Sequence, residues 1–167
     1  MQELVIPAAL LLVYAALHDV AVRTVPNWPS AALVVLGISL RLVDHSLLPA
    51  IAVACGFFVV LFGIWVAGFM GGGDVKLWAA AALLIPPNWR EELNFILYVV
   101  ILGGALAVLY LLLSLVVPRV KPSREGGWLR RFARAEIWRI SRRGPLPYAC
   151  AISGGALLVL MPHAFQP

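Results

Sequence analysis

The stretch "FILYVVILGGALAVLYLLLSLVV" (residues 95–117) decides the fold class, because it runs for 23 residues without one charged side chain. A helix needs about 20 mainly apolar residues to cross the hydrocarbon core of a bilayer. Five further apolar blocks occupy residues 8–17, 31–42, 47–70, 77–86 and 145–160. The sequence therefore predicts an all-α polytopic membrane protein with six transmembrane helices, built as a single membrane-embedded domain over residues 1–167.

The composition excludes a water-soluble globular domain. Of the 167 residues, 62% are hydrophobic and only 13% are charged, whereas a soluble domain carries about a quarter charged residues. Too little polar surface remains to cover a core of this size. We therefore expect the lipid bilayer as a partner, and we expect no nucleic acid.

The basic residues predict the orientation in the membrane, because arginine and lysine favour the cytoplasmic side. Nine of the 13 lie in one loop, residues 118–145: Arg119, Lys121, Arg124, Arg130, Arg131, Arg134, Arg139, Arg142 and Arg143. With this loop in the cytoplasm and six spans, both termini lie outside, on the periplasmic side. Arg23 and Lys76 then fall on the cytoplasmic side, and Arg41 and Arg90 fall outside, each with acidic residues nearby.

Within the basic loop, "WLRRFARAEIWRISRR" (residues 128–143) is typical of a helix that lies on the membrane surface, with Trp128, Phe132 and Trp138 entering the headgroups. Two interpretations apply to this loop. We favour an orientation signal that rests on anionic lipid. The other is a surface that recognises an acidic residue of a substrate.

Two aspartates fall at the same depth in this topology. Asp19 ends the first helix, and Asp74 begins the fourth after the glycines of "GFMGGGDVK" (residues 68–76). Acids near lipid are costly and are therefore functional candidates. Two facing carboxyl groups do not both ionise easily, and such a pair can share a proton, activate a water molecule and protonate a leaving amine. The pattern favours aspartic protease chemistry, for which we expect neither a metal ion nor a cofactor.

Structural interpretations stay open for the same residues. Asp74 could be the N-cap of its helix, and Asp19 could simply pair with Arg23 four residues later. Lys76 is most simply an anchor whose ammonium group reaches the headgroups. Glycines 71–73 could form a flexible turn, or their bare backbone could let a substrate strand approach the acid closely.

The two cysteines, Cys55 and Cys150, lie inside apolar blocks and far apart in the sequence. No Cys-x-x-Cys pair and no zinc-binding spacing is present. We expect two small apolar residues at different depths, too far apart for a disulfide.

Three motifs carry a resemblance to a known family. "GGGDVKL" (residues 71–77) resembles the Gly-x-Gly-Asp-x-Lys-Leu signature of type IV prepilin peptidases, which are aspartic proteases of the bacterial inner membrane. "DVAVRTVPN" (residues 19–27) is similar to their first motif, an aspartate followed by Arg-x-Val-Pro-Asn. "LPYACAISGGAL" (residues 146–157) is similar to the stretch that opens their last helix. The three motifs occur in order and span nearly the whole chain.

The resemblance implies an activity, a location and a substrate. The expected substrate is a prepilin or pseudopilin, cut after a glycine at the cytoplasmic face of the inner membrane, and the expected catalytic acids are Asp19 and Asp74. Substrate-binding or site-shaping roles are implied for Gly71, Gly73, Lys76, Arg23, Pro26 and Asn27. Larger family members carry paired Cys-x-x-Cys zinc motifs associated with methylating the new N-terminus. This chain has none, and it resembles the short Flp, or tight-adherence, branch that only cleaves.

A function from another class is a non-enzymatic membrane subunit, either a proton-relaying transporter component or a scaffold of a secretion machine. A proton relay would spread acids across the depth of the membrane. Here both candidate acids fall at one face, which favours the protease.

Overall fold

The computed structural model describes residues 2–117, 127–142 and 144–164, with the backbone alone for residues 2, 128–132, 163 and 164. Every regular element in these ranges is a helix, which confirms the all-α prediction. The seven helices are α1 (Gln2–Val22), α2 (Asn27–Val43), α3 (Leu47–Val66), α4 (Gly72–Ala82), α5 (Trp89–Val116), α6 (Trp128–Ser141) and α7 (Tyr148–Ala164).

Six of these helices overlap the six apolar blocks, and α6 covers most of the basic stretch 128–143. Several helices extend further into polar sequence than the blocks do. Helix α1 continues to Val22 and ends where Arg23 adopts the left-handed conformation, with φ of 60°. Helix α5 begins at Trp89, because the side chain of Asn88 caps it by accepting a hydrogen bond from the backbone N–H of Arg90. The loops between these helices are therefore shorter than the apolar blocks predict.

Helix length supports a membrane protein. Glu3–Val22, Leu47–Val66 and Trp89–Val116 are long and apolar enough to cross a bilayer. Helices α2 and α7 have 17 residues each. Helix α4 has 11, which corresponds to about 16 Å at 1.5 Å per residue. Six spans with both termini outside stay predictions, and of the basic loop, residues 118–126 and 143 lie outside the described residues.

Helices α4 and α7 form the centre of the bundle. Helix α4 packs against α2, α3 and α7, and α7 packs in turn against α1, α4 and α5. Six of the eleven residues of α4 are buried. The long helices α3 and α5 flank this centre and expose most of their apolar surface. Because its neighbours enclose it, α4 does not need the length of a lipid-facing span.

Glycines let α5 and α7 approach closely. A Cβ atom on Gly155 would lie 2.7 Å from Cγ2 of Val99, and one on Gly103 would lie 2.8 Å from Cε2 of Tyr148. Small residues at such crossings are the usual means of close helix packing in membranes. The contact at Gly103 fixes the ring of Tyr148 at the start of α7.

Both cysteines are free thiols. Cys55 is exposed on α3, and the Sγ atom of Cys150 lies 3.5 Å from the carbonyl oxygen of Ala16 on α1. Their placement agrees with the expected separation, and Cys150 additionally contributes to the packing of α7 against α1.

Candidate active site

Asp19 lies in the last turn of α1, where its side chain is buried with 5% of its surface exposed. Its Oδ2 atom accepts a hydrogen bond of 3.1 Å from the backbone N–H of Ala149. Ala149 belongs to the first turn of α7, whose N–H groups have no partner within the helix. Asp19 therefore supplies an acceptor to the start of α7, and α7 in turn fixes the orientation of the carboxyl group.

Asp74 lies in the first turn of α4, but it is not the N-cap. The N-cap is Gly71, an extended residue without a side chain, so the simple N-cap interpretation of Asp74 is wrong. The carboxyl group of Asp74 folds back to form a hydrogen bond with the backbone of Gly71. Oδ2 lies 3.0 Å from the position that a Cβ atom on Gly71 would take. A larger residue at position 71 would push this carboxyl group away.

The structure brings both carboxyl groups to the walls of two adjoining cavities, which we call the aspartate cavity. Both are lined by Asp19, Arg23, Gly71 and Asp74. The first has a volume of about 350 Å³ and extends along residues 24, 25, 72 and 73. The second has a volume of about 550 Å³ and extends along residues 68–70, 145, 146 and 148. Two acids 55 positions apart in the sequence therefore share one accessible space.

An aromatic cluster lies next to the aspartate cavity, on the side toward the middle of the bundle. Trp78 follows Asp74 by one helical turn, so both side chains project from the same face of α4. The Trp78 ring centroid lies 6.1 Å from that of Tyr148 and 6.3 Å from that of Phe95. Tyr148 also lines the cavity. Trp78 and Phe95 belong to the buried core, so the cluster connects the wall of the cavity to that core. The apolar pattern alone gave Trp78 and Tyr148 no role at the site.

Arg23 lines the aspartate cavity without forming the expected pair with Asp19. Its side chain is 7% exposed, and the guanidinium group forms an ion pair with Glu136 of α6. It also donates hydrogen bonds to the carbonyl oxygen of Pro145 at 2.8 Å and to the hydroxyl group of Tyr110 at 3.0 Å. The simple Asp19–Arg23 pair is therefore wrong as the explanation of Asp19, because the positive charge is held by another acid.

Helix α6 is attached to the end of α1 by a second arginine. Arg139 donates 3.0 Å hydrogen bonds to the carbonyl oxygens of Val20 and Ala21, and a 3.2 Å bond to Oε2 of Glu136. Carbonyl groups in the last turn of a helix have no partner within it. Glu136 is the one acidic residue in the sequence of α6. A single acid among several arginines is the feature of the sequence that could have indicated a specific ion pair for Glu136.

Of the four remaining predicted site residues, three lie elsewhere. Lys76 is exposed, and its Nζ atom donates to Oδ1 of Asn27 at 3.1 Å. Pro26 is the N-cap residue of α2. None of these three lines the aspartate cavity. Gly73 does line it, and a Cβ atom there would lie 3.1 Å from Cβ of Val25. The missing side chain therefore allows α4 to approach the turn at residues 23–26.

The site consists of two carboxyl groups that line a cavity large enough for water and a peptide segment. The described residues contain no group of three or more His, Cys, Asp or Glu side chains that could hold a metal ion. Two carboxyl groups, one protonated and one ionised, provide a general acid and a general base in the same place.

Comparison with known proteins identifies the family. No curated protein and no solved structure matches the chain significantly. The model of the type IV leader peptidase family matches residues 6–112, which contain both aspartates and the whole of α2, α3 and α4. The match covers more than half of the 167 residues, and the chain therefore belongs to the type IV leader peptidase family.

Proposed function

We propose that this chain is a prepilin leader peptidase of the short Flp type, with Asp19 and Asp74 as its catalytic pair. The observation that carries the proposal is the convergence of the two carboxyl groups, from α1 and α4, on one cavity. A peptidase family is shown by the match over residues 6–112. The particular substrate and the roles of the two acids are our proposal.

The proposed mechanism uses the pair as one acid and one base. The ionised carboxyl group takes a proton from a water molecule, whose oxygen forms a bond to the scissile carbonyl carbon. The protonated carboxyl group gives its proton to the carbonyl oxygen, and a tetrahedral intermediate forms. Its collapse breaks the C–N bond as the proton taken from water passes to the leaving amine, and the other carboxylate takes a proton from a hydroxyl group of the intermediate, so that the carbonyl group reforms. The two acids exchange roles during the cycle and titrate as a unit.

The walls of the larger cavity suit a substrate that changes from polar to apolar at the cut. Phe69, Met70 and Leu146 line it beside the two acids, and 86% of the Phe69 side chain is exposed. A prepilin has a polar leader in the cytoplasm and an apolar helix in the membrane. We infer that the apolar side chains receive the start of that helix, with the aspartates at the boundary of the bacterial inner membrane.

The test is cleavage of candidate Flp-type prepilins by purified protein in lipid vesicles, with the new N-terminus identified by mass spectrometry. Asp19→Asn and Asp74→Asn should each reduce the rate by about 10³-fold or more, and the double variant should be no slower, because groups that act as a unit are non-additive. Glu3→Gln, an exposed acid at the other end of α1, is the matched control. A fully active Asp74→Asn protein would show that Asp74 has only a structural role, through its hydrogen bond with Gly71. That result would contradict the protease proposal.

A further inference from the structure

A separate groove lies on the other side of α4. It has a volume of about 520 Å³ and shares no lining residue with the aspartate cavity. Asp74 and Lys76 are two positions apart, so their side chains project about 200° apart around the helix. We call this the α4 groove, and its walls come from α2, α3 and α4: Asn27, Ser30, Ala31, Val34, Ile51, Ala54, Cys55, Phe58, Val59, Lys76, Ala79, Ala80 and Leu83.

The α4 groove runs along the helices and has one polar end. Its lining residues on α3 extend from Ile51 to Val59, and those on α4 extend from Lys76 to Leu83, which is about 10–12 Å at 1.5 Å per residue. Lys76 is hydrogen-bonded to Asn27 at one end. The body of the groove is almost entirely apolar. A charged head and an apolar body are the two parts of a phospholipid.

The polar end offers hydrogen-bond donors and a positive charge. Lys76 is exposed, and only one of the three protons on its ammonium group is needed for the bond to Asn27. Because Oδ1 of Asn27 accepts that bond, the amide NH₂ is left to donate. No acidic side chain is among the described residues that line the groove. This end therefore suits an anion, such as a phosphate group.

A buried hydroxyl group gives a second, independent indication of a ligand. Ser30 lines the groove one turn along α2 from Asn27, and 6% of its surface is exposed. Its Oγ atom is buried and has no hydrogen-bond partner within the described residues. Buried hydroxyl groups are normally paired. A rotation of the Ser30 side chain toward the groove would pair this hydroxyl group with a glycerol ester oxygen one turn below a phosphate on Lys76.

The position of the groove distinguishes a lipid chain from a substrate helix, because a substrate helix here would be separated from Asp74 by α4 itself. We propose that the α4 groove binds one anionic phospholipid, with its phosphate at Lys76 and Asn27, an ester oxygen at Ser30, and an acyl chain between α2 and α3.

The probe for this site is phosphatidylglycerol with 16- and 18-carbon chains, compared with phosphatidylcholine of the same chains. Native mass spectrometry of the detergent-purified full chain should show one retained phosphatidylglycerol. Lys76→Ala should weaken its retention about tenfold, and Lys76→Arg should preserve it. The control is Arg90→Ala, an exposed basic residue that does not line the groove. Equal losses in both alanine variants, or equal retention of phosphatidylcholine, would overturn the proposal.

Cys55 provides a second measurement that needs no substitution in the groove, because its thiol lines the wall. In a Cys150→Ser background, N-ethylmaleimide on Cys55 should occupy the space and abolish retention of phosphatidylglycerol. Millimolar inorganic phosphate should not displace the lipid, since the acyl chain supplies most of the binding. Displacement by a prepilin would assign the groove to the substrate and overturn the lipid assignment. Retention is measured without cleavage, so the result does not depend on the proposed peptidase activity.

Discussion

Replacement of Glu136 by alanine would test whether α6 is a structural part of the site. The change removes the carboxylate that pairs with Arg23 and accepts from Arg139. The Arg23 side chain is 7% exposed, so its charge would be left almost buried without a counter-charge. Breaking a fully buried ion pair costs about 3–5 kcal/mol.

The structure places the expected cost of Glu136→Ala below that range. The Glu136 side chain is 16% exposed, so water reaches the pair. Arg23 also keeps its hydrogen bonds to the Pro145 carbonyl oxygen and to Tyr110. We therefore expect a loss of about 2–3 kcal/mol, which corresponds to about 5–10 °C in the melting temperature of a chain of this size. Cleavage should also fall at least about tenfold, because the end of α1 that carries Asp19 loses part of its attachment.

The assay is thermal unfolding in detergent together with prepilin cleavage, for wild type, Glu136→Ala, Tyr110→Phe and the double variant. Glu136, Tyr110 and Arg23 form one hydrogen-bonded group, so the two changes should couple by about 0.5–3 kcal/mol. Glu3→Ala is the control for loss of an acid. A Glu136→Ala protein as stable and as active as Glu3→Ala would refute the reasoning, and strictly additive effects would refute the shared network.

Two further predictions concern topology and packing. Single cysteines at Ser123 and Asn88, in a chain without its native cysteines, should differ toward an impermeant thiol reagent added outside: Ser123 protected and Asn88 reactive, because the basic loop is predicted to be cytoplasmic. The opposite pattern would reverse the orientation. Gly155→Ala should lower the stability by about 1–3 kcal/mol, since its Cβ would lie 2.7 Å from Val99, whereas Gly104→Ala should not, because nothing lies within 4 Å there. Equal unfolding temperatures for the two alanine variants would contradict the packing argument.

The sequence predicts the helices and the meeting of the acids for physical reasons that can be named. Continuous apolar blocks favour helices in lipid, because a helix satisfies the hydrogen bonds of its backbone within the segment. Counting those helices from one basic loop places Asp19 and Asp74 at the same end. The structure brings these two carboxyl groups together at one cavity. The convergence follows from topology and needs no knowledge of side-chain packing.

The partners of Asp19 and Arg23 could not be predicted in the same way. The amide that orients Asp19 comes from Ala149, 130 positions away, and the acid that pairs with Arg23 is 113 positions away. Hydrophobic pattern sets which helices exist, but it does not set how each is rotated against its neighbours. The local alternatives, an N-cap at Asp74 and an i,i+4 pair at Asp19, use only near neighbours in the sequence. They therefore missed contacts that depend on the assembled bundle.

The bond from Ala149 to Asp19 has a consequence for biosynthesis. A ribosome delivers α1 and α4, with both acids, well before it delivers α7. Until α7 docks, Asp19 lacks the amide that orients it, and the larger cavity lacks the wall that Tyr148 and Leu146 provide. A chain that lacks α7 would therefore carry both acids without the arrangement that we propose for the catalytic pair, so this arrangement can form only after the last helix has been made.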